Sequence, residues 1–373
     1  MDVNRRNDNP AGAARLLSLD ALRGLDMLFL VGISGVFVAA GKAYDNRVVD
    51  FLAGQMQHTK WQGFHLIDLV FPLFIFIVGT SLPFALNKRL DDGYSRTRLH
   101  LHVVRRSLLL FFLGLVQNGL LGFDFSNMHY TGVLQRIAVA YFFAALIVLN
   151  TSVRKQAVVA GALLVGYWLL MILVPVPGHG AGVITPEGNL HTYIDQQLLP
   201  GKFYRGESFD EDGLLQQMSS IAVCLAGALA GHWLRSQRTQ NGKVCGLLGA
   251  GVACVVAGLV WNLSFPIIFR LWSSSYAMVV IGISSMLLAV FYWAIDVKGY
   301  QRWAFPFVVV GLNSITIYLA PLLIDFNKIV DFFVHGFINH LGVFRGVFLA
   351  ICVLAAKWLF LFFLYKRRIF LKV

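Results

Sequence analysis

Charged residues are scarce in this chain of 373 residues. They make up 13% of it, whereas hydrophobic residues make up 57%, and the mean hydropathy is +0.68. A soluble core of this size cannot hide so much apolar surface, so the composition excludes an ordinary soluble globular protein. We expect the chain to lie in a lipid bilayer.

Cysteine is also rare. The four cysteines fall within or at the edge of apolar runs and show no paired spacing, so we interpret them as packing residues and expect neither disulfides nor a metal site. We also find no convincing internal repeat, which weighs against an inverted-repeat transporter. The cysteines are Cys224, Cys245, Cys254 and Cys352.

The apolar residues are grouped in runs long enough to cross a bilayer, which takes ~20 residues per helix. The sequence therefore predicts an all-α, polytopic membrane helix bundle of about ten spans. The predicted spans are Ser18 to Ala40, His65 to Asn87, Val103 to Leu121, Val133 to Asn150, Gln156 to Val176, Gly213 to Leu234, Val244 to Trp261, Ser275 to Ile295, Trp303 to Ile324 and Gly346 to Tyr365.

The distribution of basic residues predicts the orientation of these spans. Of the 31 lysines and arginines, 20 fall on the side of the N-terminus, eight on the opposite side and three within spans. Basic residues concentrate on the cytoplasmic side, so both termini are predicted to be cytoplasmic, in a multi-pass protein of a bacterial inner membrane. This bias explains the net charge of +12 without a nucleic-acid partner.

The segments outside the spans predict one domain. Residues 1–14 are polar and are expected to be disordered, and residues 15–373 form a single transmembrane domain. Two extracytoplasmic loops, about 41–64 and 177–212, are longer than a turn needs, and such loops often build sites. The mildly apolar segment 325–345 is a candidate interfacial helix.

Charged residues within spans indicate a structural or functional role, because inserting each one into the membrane costs at least ~2.5 kcal/mol of free energy. Asp20, Arg23 and Asp26 repeat every three residues, so Arg23 can pair with either acid along one helix face. Asp68 and Arg136 lie at similar depth near the outer side. They are candidate partners for an ion pair that would form the polar bottom of an outward-facing cavity.

His58, in the first outer loop, is a candidate catalytic base. A histidine with a pKa near ~6.5 can accept a proton at neutral pH, and a nearby carboxylate can orient its ring. Asp68 follows ten residues later, so a loop folded over the second span could bring the two together. Metal binding is the weaker alternative, because His58 and His65 lack regular ligand spacing and a third ligand.

Other polar and aromatic residues leave two interpretations open. Trp61, Trp272 and Tyr276, at outer ends of spans, suit either an aromatic belt or stacking against a sugar. The acidic run 210–212, which includes Asp212, suits either attraction of a cationic amino sugar or a helix start. Asn313, near the middle of the ninth span, suits either helix packing or a polar tunnel.

Several motifs, in order from about residue 17 to the C-terminus, resemble the transmembrane acyltransferase family that includes heparan-α-glucosaminide N-acetyltransferase and its bacterial homologues. The motifs are Ser18-Leu19-Asp20-Ala21-Leu22-Arg23-Gly24, His58-x-x-Trp61-x-Gly63 with Asp68-Leu69-Val70-Phe71-Pro72, Gly132-Val133-Leu134-Gln135-Arg136, Asp212-Gly213-Leu214, Leu271-Trp272-Ser273-Ser274-Ser275-Tyr276, Gly311-Leu312-Asn313-Ser314 and the basic tail Lys366 to Lys372.

The resemblance implies transfer of an acetyl group from cytoplasmic acetyl-CoA to the amine of a terminal glucosamine on the far side of the membrane, and we expect the acceptor to be an amino sugar or periplasmic glycan. It implies catalysis by His58, as general base or acetyl carrier, with Asp68, and it makes a homodimer plausible. Arg105 and Arg106 are candidate contacts to acetyl-CoA. Candidate substrate-binding residues are Trp61, Gln135, Arg136, Asp212, Trp272, Ser275, Tyr276 and Asn313.

The chain departs from the glucosaminide enzymes at residues that concern the acceptor. Ser34 stands where they carry asparagine, and Ile268, Phe269 and Arg270 stand where they carry Asn and Lys before the Leu-Trp motif. A secondary transporter of a sugar or amino sugar and a non-catalytic assembly subunit are the alternatives. Uptake without acyl-CoA would favour the transporter.

Overall fold

The fold is a bundle of long apolar helices, which a computed structural model describes for residues 16–371. The segment 1–14, predicted to be disordered, lies outside these residues. The α-helices are α1 Leu17–Leu28, α2 Ser34–Ala43, α3 Arg47–Gln55, α4 Val70–Asp91, α5 Arg96–Gln117, α6 Val133–Asn150, α7 Val153–Leu173, α8 Leu190–Leu198, α9 Gln217–Arg235, α10 Gln240–Trp261, α11 Ser274–Phe291, α12 Phe305–Gly311, α13 Ser314–Leu319, α14 Phe326–Ile338 and α15 Arg345–Lys366.

The predicted all-α membrane fold is confirmed. Residues 16–371 contain nine helices that are long and apolar enough to span a membrane, and a tenth if one bent helix pair counts as a span. Within the same residues, β-type pairing is limited to two isolated bridges. The cytoplasmic position of both termini stays a prediction.

The third span begins earlier than predicted. We expected Val103 to Leu121, whereas α5 runs from Arg96 to Gln117. The Ser95 side chain accepts a hydrogen bond from the backbone N–H of Arg98 and so caps the helix. The first turns of α5 are therefore basic, so apolar content alone could not locate the start of the helix.

The ninth span is broken instead of continuous. The two helical segments, Arg302–Gly311 and Ser314–Leu322, meet at 58°. Asn313 lies at the break with φ −126° and ψ 34°, outside helical geometry. Its amide donates to the carbonyl of Ile369 at 3.2 Å and its oxygen accepts from the N–H of Leu371 at 3.4 Å. Asn313 therefore ties the C-terminal tail to the break.

Glycines in two of the family-like motifs allow one close helix crossing. A Cβ at Gly24 would lie 1.7 Å from the carbonyl oxygen of Phe307, and a Cβ at Gly311 would lie 1.9 Å from that of Asp20. Any side chain here would push α1 away from α12. The motif residues Gly24 and Gly311 thus have a packing role that is separate from chemistry.

A π-helical segment, Phe29–Ile33, joins α1 to α2. Such segments leave carbonyls without their regular α-helical partners. The Lys357 ammonium donates to the carbonyl of Val31 at 2.6 Å, and the Ser34 hydroxyl donates to that of Phe29 at 2.9 Å. Lys357, a cation within the last span, therefore satisfies the backbone of the first.

Candidate active site

The outer loop before α4 brings His58 and Asp68 together. Nδ1 of His58 lies 2.6 Å from Oδ1 of Asp68, whereas Oδ2 of Asp68 accepts from the backbone N–H of His65 at 2.9 Å. The Asp68 side chain is buried, and that of His58 is 54% exposed. With the proton on Nδ1, the buried carboxylate holds the ring while Nε2 is left as an acceptor for an incoming proton.

Two aromatic residues support this pair. Phe269 stacks on the His58 ring, with centroids 4.6 Å apart and planes 3° from parallel. The Tyr276 hydroxyl donates to the carbonyl oxygen of Asp68 at 2.5 Å. The ring of His58 is therefore fixed in its plane by Phe269 and at its edge by Asp68.

A short backbone contact between two outer loops makes this stacking possible. The N–H of Gly63 donates to the carbonyl of Ile267 at 2.9 Å, and Gly63 forms a bridge with Ile268. Gly63 has φ +117°, a conformation that L side chains rarely adopt. The motif glycine therefore positions Phe269 against His58.

Of the three aromatic residues predicted at outer span ends, only Trp61 keeps exposed surface. Its indole N–H donates to the carbonyl of Ile184 at 3.0 Å, and its ring meets the edge of Phe209. Trp272 and Tyr276 are 1% and 0% exposed. Burial of this extent does not suit a lipid-facing aromatic belt for these two residues.

Each residue of the acidic run 210–212 has a basic partner. Asp210 Oδ2 lies 2.8 Å from Nε2 of His129, Glu211 pairs with Arg270 at 2.5 Å, and Asp212 pairs with Arg136 at 3.3 Å. The carboxylates thus neutralise cations of the protein itself, and they link the second outer loop to α6 and to the segments that precede α6 and α11.

The predicted pair between Asp68 and Arg136 is wrong, because each residue has other partners. Asp68 holds His58, and Arg136 binds Asp212 and donates to Oε1 of Gln216 at 2.5 Å. The Trp272 ring covers the guanidinium at 4.6 Å. The sequence indicated the depth of Arg136 but not the direction in which its side chain points.

Burial and pairing shift the pKa values of the outer polar residues. Burial lowers the pKa of His129, but the hydrogen bond with Asp210 together with the negative charges of Asp210 and Asp212 outweighs burial, so the pKa is raised above its ordinary value. Burial raises the pKa of Asp210, but the hydrogen bond with His129, the charge of His129 and the hydrogen bonds from Asp212 and Thr131 together outweigh burial and lower that pKa. Both shifts favour the charged forms, so this contact is an ion pair.

A second buried pair, His191 and Asp195, was missed by the sequence reading. Nε2 of His191 lies 3.1 Å from Oδ2 of Asp195, and neither side chain is exposed. Burial lowers the pKa of His191 to about 4 and raises that of Asp195 to about 7. Their spacing of four residues on α8 is the sequence signal that could have indicated the contact.

Three further predicted binding residues make contacts within the bundle. The Gln135 amide donates to the carbonyl of Tyr130 at 3.3 Å, the Ser275 hydroxyl lies 3.1 Å from that of Ser273, and Asn313 holds the C-terminal tail. All three side chains are buried. None of these hydrogen bonds reaches His58 or Asp68.

A cavity of about 510 Å³ lies between α1, α4, α5, α6 and the broken span. Its lining follows α4 from Val70, two residues after Asp68, to Arg89, a distance of ~28 Å at ~1.5 Å per residue. Four cationic or titratable residues line the end farther from Asp68. They are Arg23, Arg89, His102 and Arg106.

The two predicted acetyl-CoA contacts have different positions relative to this cavity. Arg106 lines it and lies over the Tyr141 ring at 4.5 Å. Arg105 is exposed and is not part of the lining. Adjacent residues of a helix point about 100° apart, so the Arg105-Arg106 pair in the sequence could not contribute both side chains to one cavity wall.

The chain resembles known proteins along most of its length. Residues 15–173 match a family model described as a domain of unknown function, DUF5009. The heparan-alpha-glucosaminide N-acetyltransferase of Homo sapiens is 28% identical over 364 residues, which cover 82% of this chain and 52% of the human protein. The heparan-alpha-glucosaminide N-acetyltransferase of Mus musculus is 27% identical over 371 residues, and the match covers 84% of this chain and 54% of the mouse protein.

The chain therefore spans about half the length of the curated relatives it matches. These matches confirm the resemblance of this multi-pass membrane protein to the transmembrane acyltransferase family that includes heparan-α-glucosaminide N-acetyltransferase.

Proposed function

We propose that this chain is a membrane-bound acyltransferase. It moves an acetyl group from cytoplasmic acetyl-CoA to the amine of an amino sugar, such as a terminal glucosamine of a periplasmic glycan, on the extracytoplasmic side of a bacterial inner membrane. The observation that carries the proposal is the contact of 2.6 Å between the exposed imidazole of His58 and the buried carboxylate of Asp68. The similarity to two N-acetyltransferases supports it.

His58 can act in either of two ways. As a general base, its Nε2 takes the proton from the acceptor amine while the amine attacks the thioester carbonyl and the CoA thiolate leaves. As an acetyl carrier, Nε2 itself attacks that carbonyl, CoA leaves as the thiolate, and the amine then displaces the imidazole. In both cases Asp68 stabilises the positive charge on the ring.

The cavity supports a donor site. One end is lined by arginines, which suit phosphate groups, and the remaining walls are mostly apolar, which suits an extended arm. The salt bridges among residues 16–371 involve neither Arg89 nor Arg106, so both cations are available to an anionic ligand. We assign the donor contact to Arg106, since Arg105 lies outside the lining.

On the acceptor side, we propose that Trp61 contacts the sugar. It is the predicted aromatic residue that keeps exposed surface near His58 in the first loop. Trp272, Tyr276, Arg136 and Asp212 act indirectly in this proposal, because they brace the loops that hold His58 and Asp68.

Acetyl transfer by the purified protein tests the proposal. With acetyl-CoA and glucosamine as probes, we expect His58→Ala to lose ~10²- to 10⁴-fold in rate, the usual contribution of a general base, and to lose more if His58 carries the acetyl group. The matched control is His340→Ala, an exposed histidine outside the site. Transfer at the wild-type rate by a folded His58→Ala protein would contradict the catalytic assignment.

A secondary transporter of a sugar or amino sugar is the second candidate. The broken span at Asn313 favours it, because transporters often bind substrates at discontinuous helices. Accumulation of labelled glucosamine in proteoliposomes without acyl-CoA would support transport. Accumulation of acetylated product that depends on acetyl-CoA would support the enzyme.

A further inference from the structure

Asp26 has no role in the site described above, yet its carboxyl group lies buried within the bundle. It lies on α1, within the first membrane span, and is 2% exposed. Neither of its side-chain oxygens has a hydrogen-bond partner among residues 16–371. A buried polar group without a partner is costly, and more so in a membrane, so it calls for a ligand.

The position of Asp26 indicates where such a ligand would lie. Asp26 lines the cavity of about 510 Å³. One turn before it, the Arg23 guanidinium donates to the Ser81 hydroxyl at 3.0 Å. The span of α1 and the span of α4 are consecutive, so the two helices run in opposite directions. Asp26 follows Arg23 along α1 and therefore lies ~4.5 Å closer to the start of α4, which Asp68 precedes. It is therefore between the cationic end of the cavity and the catalytic pair.

The chemistry of this position is that of a hydrogen-bond acceptor in an apolar passage. An aspartate offers an acceptor oxygen in either protonation state. The cavity lining also includes the apolar side chains of Met27, Leu30, Phe74 and Val78. A ligand segment here would be mostly apolar but would need a hydrogen-bond donor that points at α1.

We infer that Asp26 binds an amide N–H of the extended arm of the acyl donor, and so positions the thioester between the cationic end and His58. The inference rests on the proposed function, because the pantetheine arm of acetyl-CoA carries two secondary amides between its phosphates and its sulfur. Asp26 is then a binding residue and takes no part in bond making.

Binding to the purified full-length chain tests this inference, with three probes: acetyl-CoA, S-acetyl-pantetheine and adenosine 3′,5′-bisphosphate. Asp26→Leu removes both acceptor oxygens at similar volume, and we expect it to weaken acetyl-CoA and S-acetyl-pantetheine about 10-fold, as loss of one buried hydrogen bond would. The bisphosphate, which lacks the amides, should bind unchanged. Asp26→Asn keeps an acceptor oxygen and should stay within about 3-fold of wild type.

The control is Thr80→Val. Thr80 is a buried polar residue of α4 whose hydroxyl donates to the carbonyl of Phe76, and it is not part of the cavity lining. It should leave all three affinities unchanged. Unchanged acetyl-CoA affinity in Asp26→Leu, or an equal loss for all three probes, would overturn the role of Asp26.

A second measurement needs no variant. S-acetyl-pantetheine with both amide nitrogens methylated should bind wild-type protein about 10-fold more weakly than the parent compound, because it has no N–H to donate. Equal affinity would overturn the inference even if Asp26→Leu fails to fold. If wild-type protein binds no acetyl-CoA at all, the proposed donor site fails as well, whereas binding that is independent of Asp26 removes this inference alone.

Discussion

The outer loops and the cavity differ in whether their charged and polar side chains have partners within the protein. At the outer loops, Asp210, Glu211 and Asp212 each have a cationic partner from another part of the chain. In the cavity, Asp26 has no hydrogen-bond partner and Arg106 has no carboxylate partner among the described residues. Paired charges build a framework, whereas polar groups that lack a hydrogen bond or an ion pair beside an open space are suited to a ligand.

The His58–Asp68 contact combines a paired, buried carboxylate with an accessible imidazole. Its carboxylate is buried and held like the framework, but its imidazole is half exposed, so a substrate can reach it. We therefore expect that loss of a framework pair mainly lowers stability, whereas loss of a polar residue of the cavity or of the catalytic pair mainly lowers binding or rate. Four substitutions test this division, from the largest expected effect to the smallest.

The largest effect is expected from Arg136→Met. It leaves Asp212 without its buried cationic partner and the side-chain oxygen of Gln216 without its donor, so the free energy of unfolding should fall by about 3 to 5 kcal/mol. Denaturant unfolding in detergent measures this. Arg270→Met, which breaks a more exposed pair with Glu207 and Glu211, is the control and should cost about 1 kcal/mol. Equal losses would show that burial does not separate the two pairs.

Asp68→Asn should lower the rate of transfer about 10²-fold, because the amide cannot stabilise a charged His58 ring as a carboxylate does. The binding of acetyl-CoA should not change. Asp325→Asn is a matched control. Like Asp68, Asp325 accepts a hydrogen bond from a backbone N–H at the start of a helix, here that of Lys328 at the start of α14, but it has no contact with His58. A wild-type rate for Asp68→Asn would place Asp68 in the framework.

The ion pair between His129 and Asp210 should make stability depend on pH. The raised pKa of His129 contributes stability below about pH 6.5, which is lost as pH rises through that raised pKa. The lowered pKa of Asp210 contributes stability above about pH 3.8, which is lost as pH falls through that lowered pKa. His129→Gln should therefore cost most, about 2 kcal/mol, between these two values.

Unfolding of wild type and His129→Gln across this pH range measures the difference. His335→Gln, which removes an exposed pair with Asp331 on α14, is the control and should differ little from wild type at any pH. A deficit of His129→Gln that is constant from pH 4 to pH 9 would rule out the ion pair as its cause.

The smallest effect is expected on the KM for acetyl-CoA, when each of two adjacent arginines is replaced. Arg106→Met should raise the KM for acetyl-CoA about 10-fold, since a cavity-lining cation is removed. Arg105→Met should leave this KM within about 2-fold of wild type. If both substitutions act equally, general attraction by basic residues explains donor binding, and the division between cavity and surface fails for this helix.

Parts of the site could be predicted from the sequence because they depend on neighbours along the chain. Asp68 follows His58 by ten residues, and one loop folded over a helix start brings them together. Phe269 could not be predicted as a partner of His58, because the two residues belong to loops that are far apart in the sequence. The bridge of Gly63 with Ile268 brings these loops together. The same limit explains the wrong pairing of Arg136.

The sequence by itself determined the membrane class, the number of spans and the loop that carries His58, because run length and composition depend on no distant contact. The tertiary structure decided the partners: Asp212 for Arg136, Phe269 for His58 and the C-terminal tail for Asn313. It also decided that Asp26 faces an open cavity without a partner. The reason is physical, since a helix fixes the depth of a side chain through its rise per residue, whereas its neighbours depend on how the helices are rotated and packed.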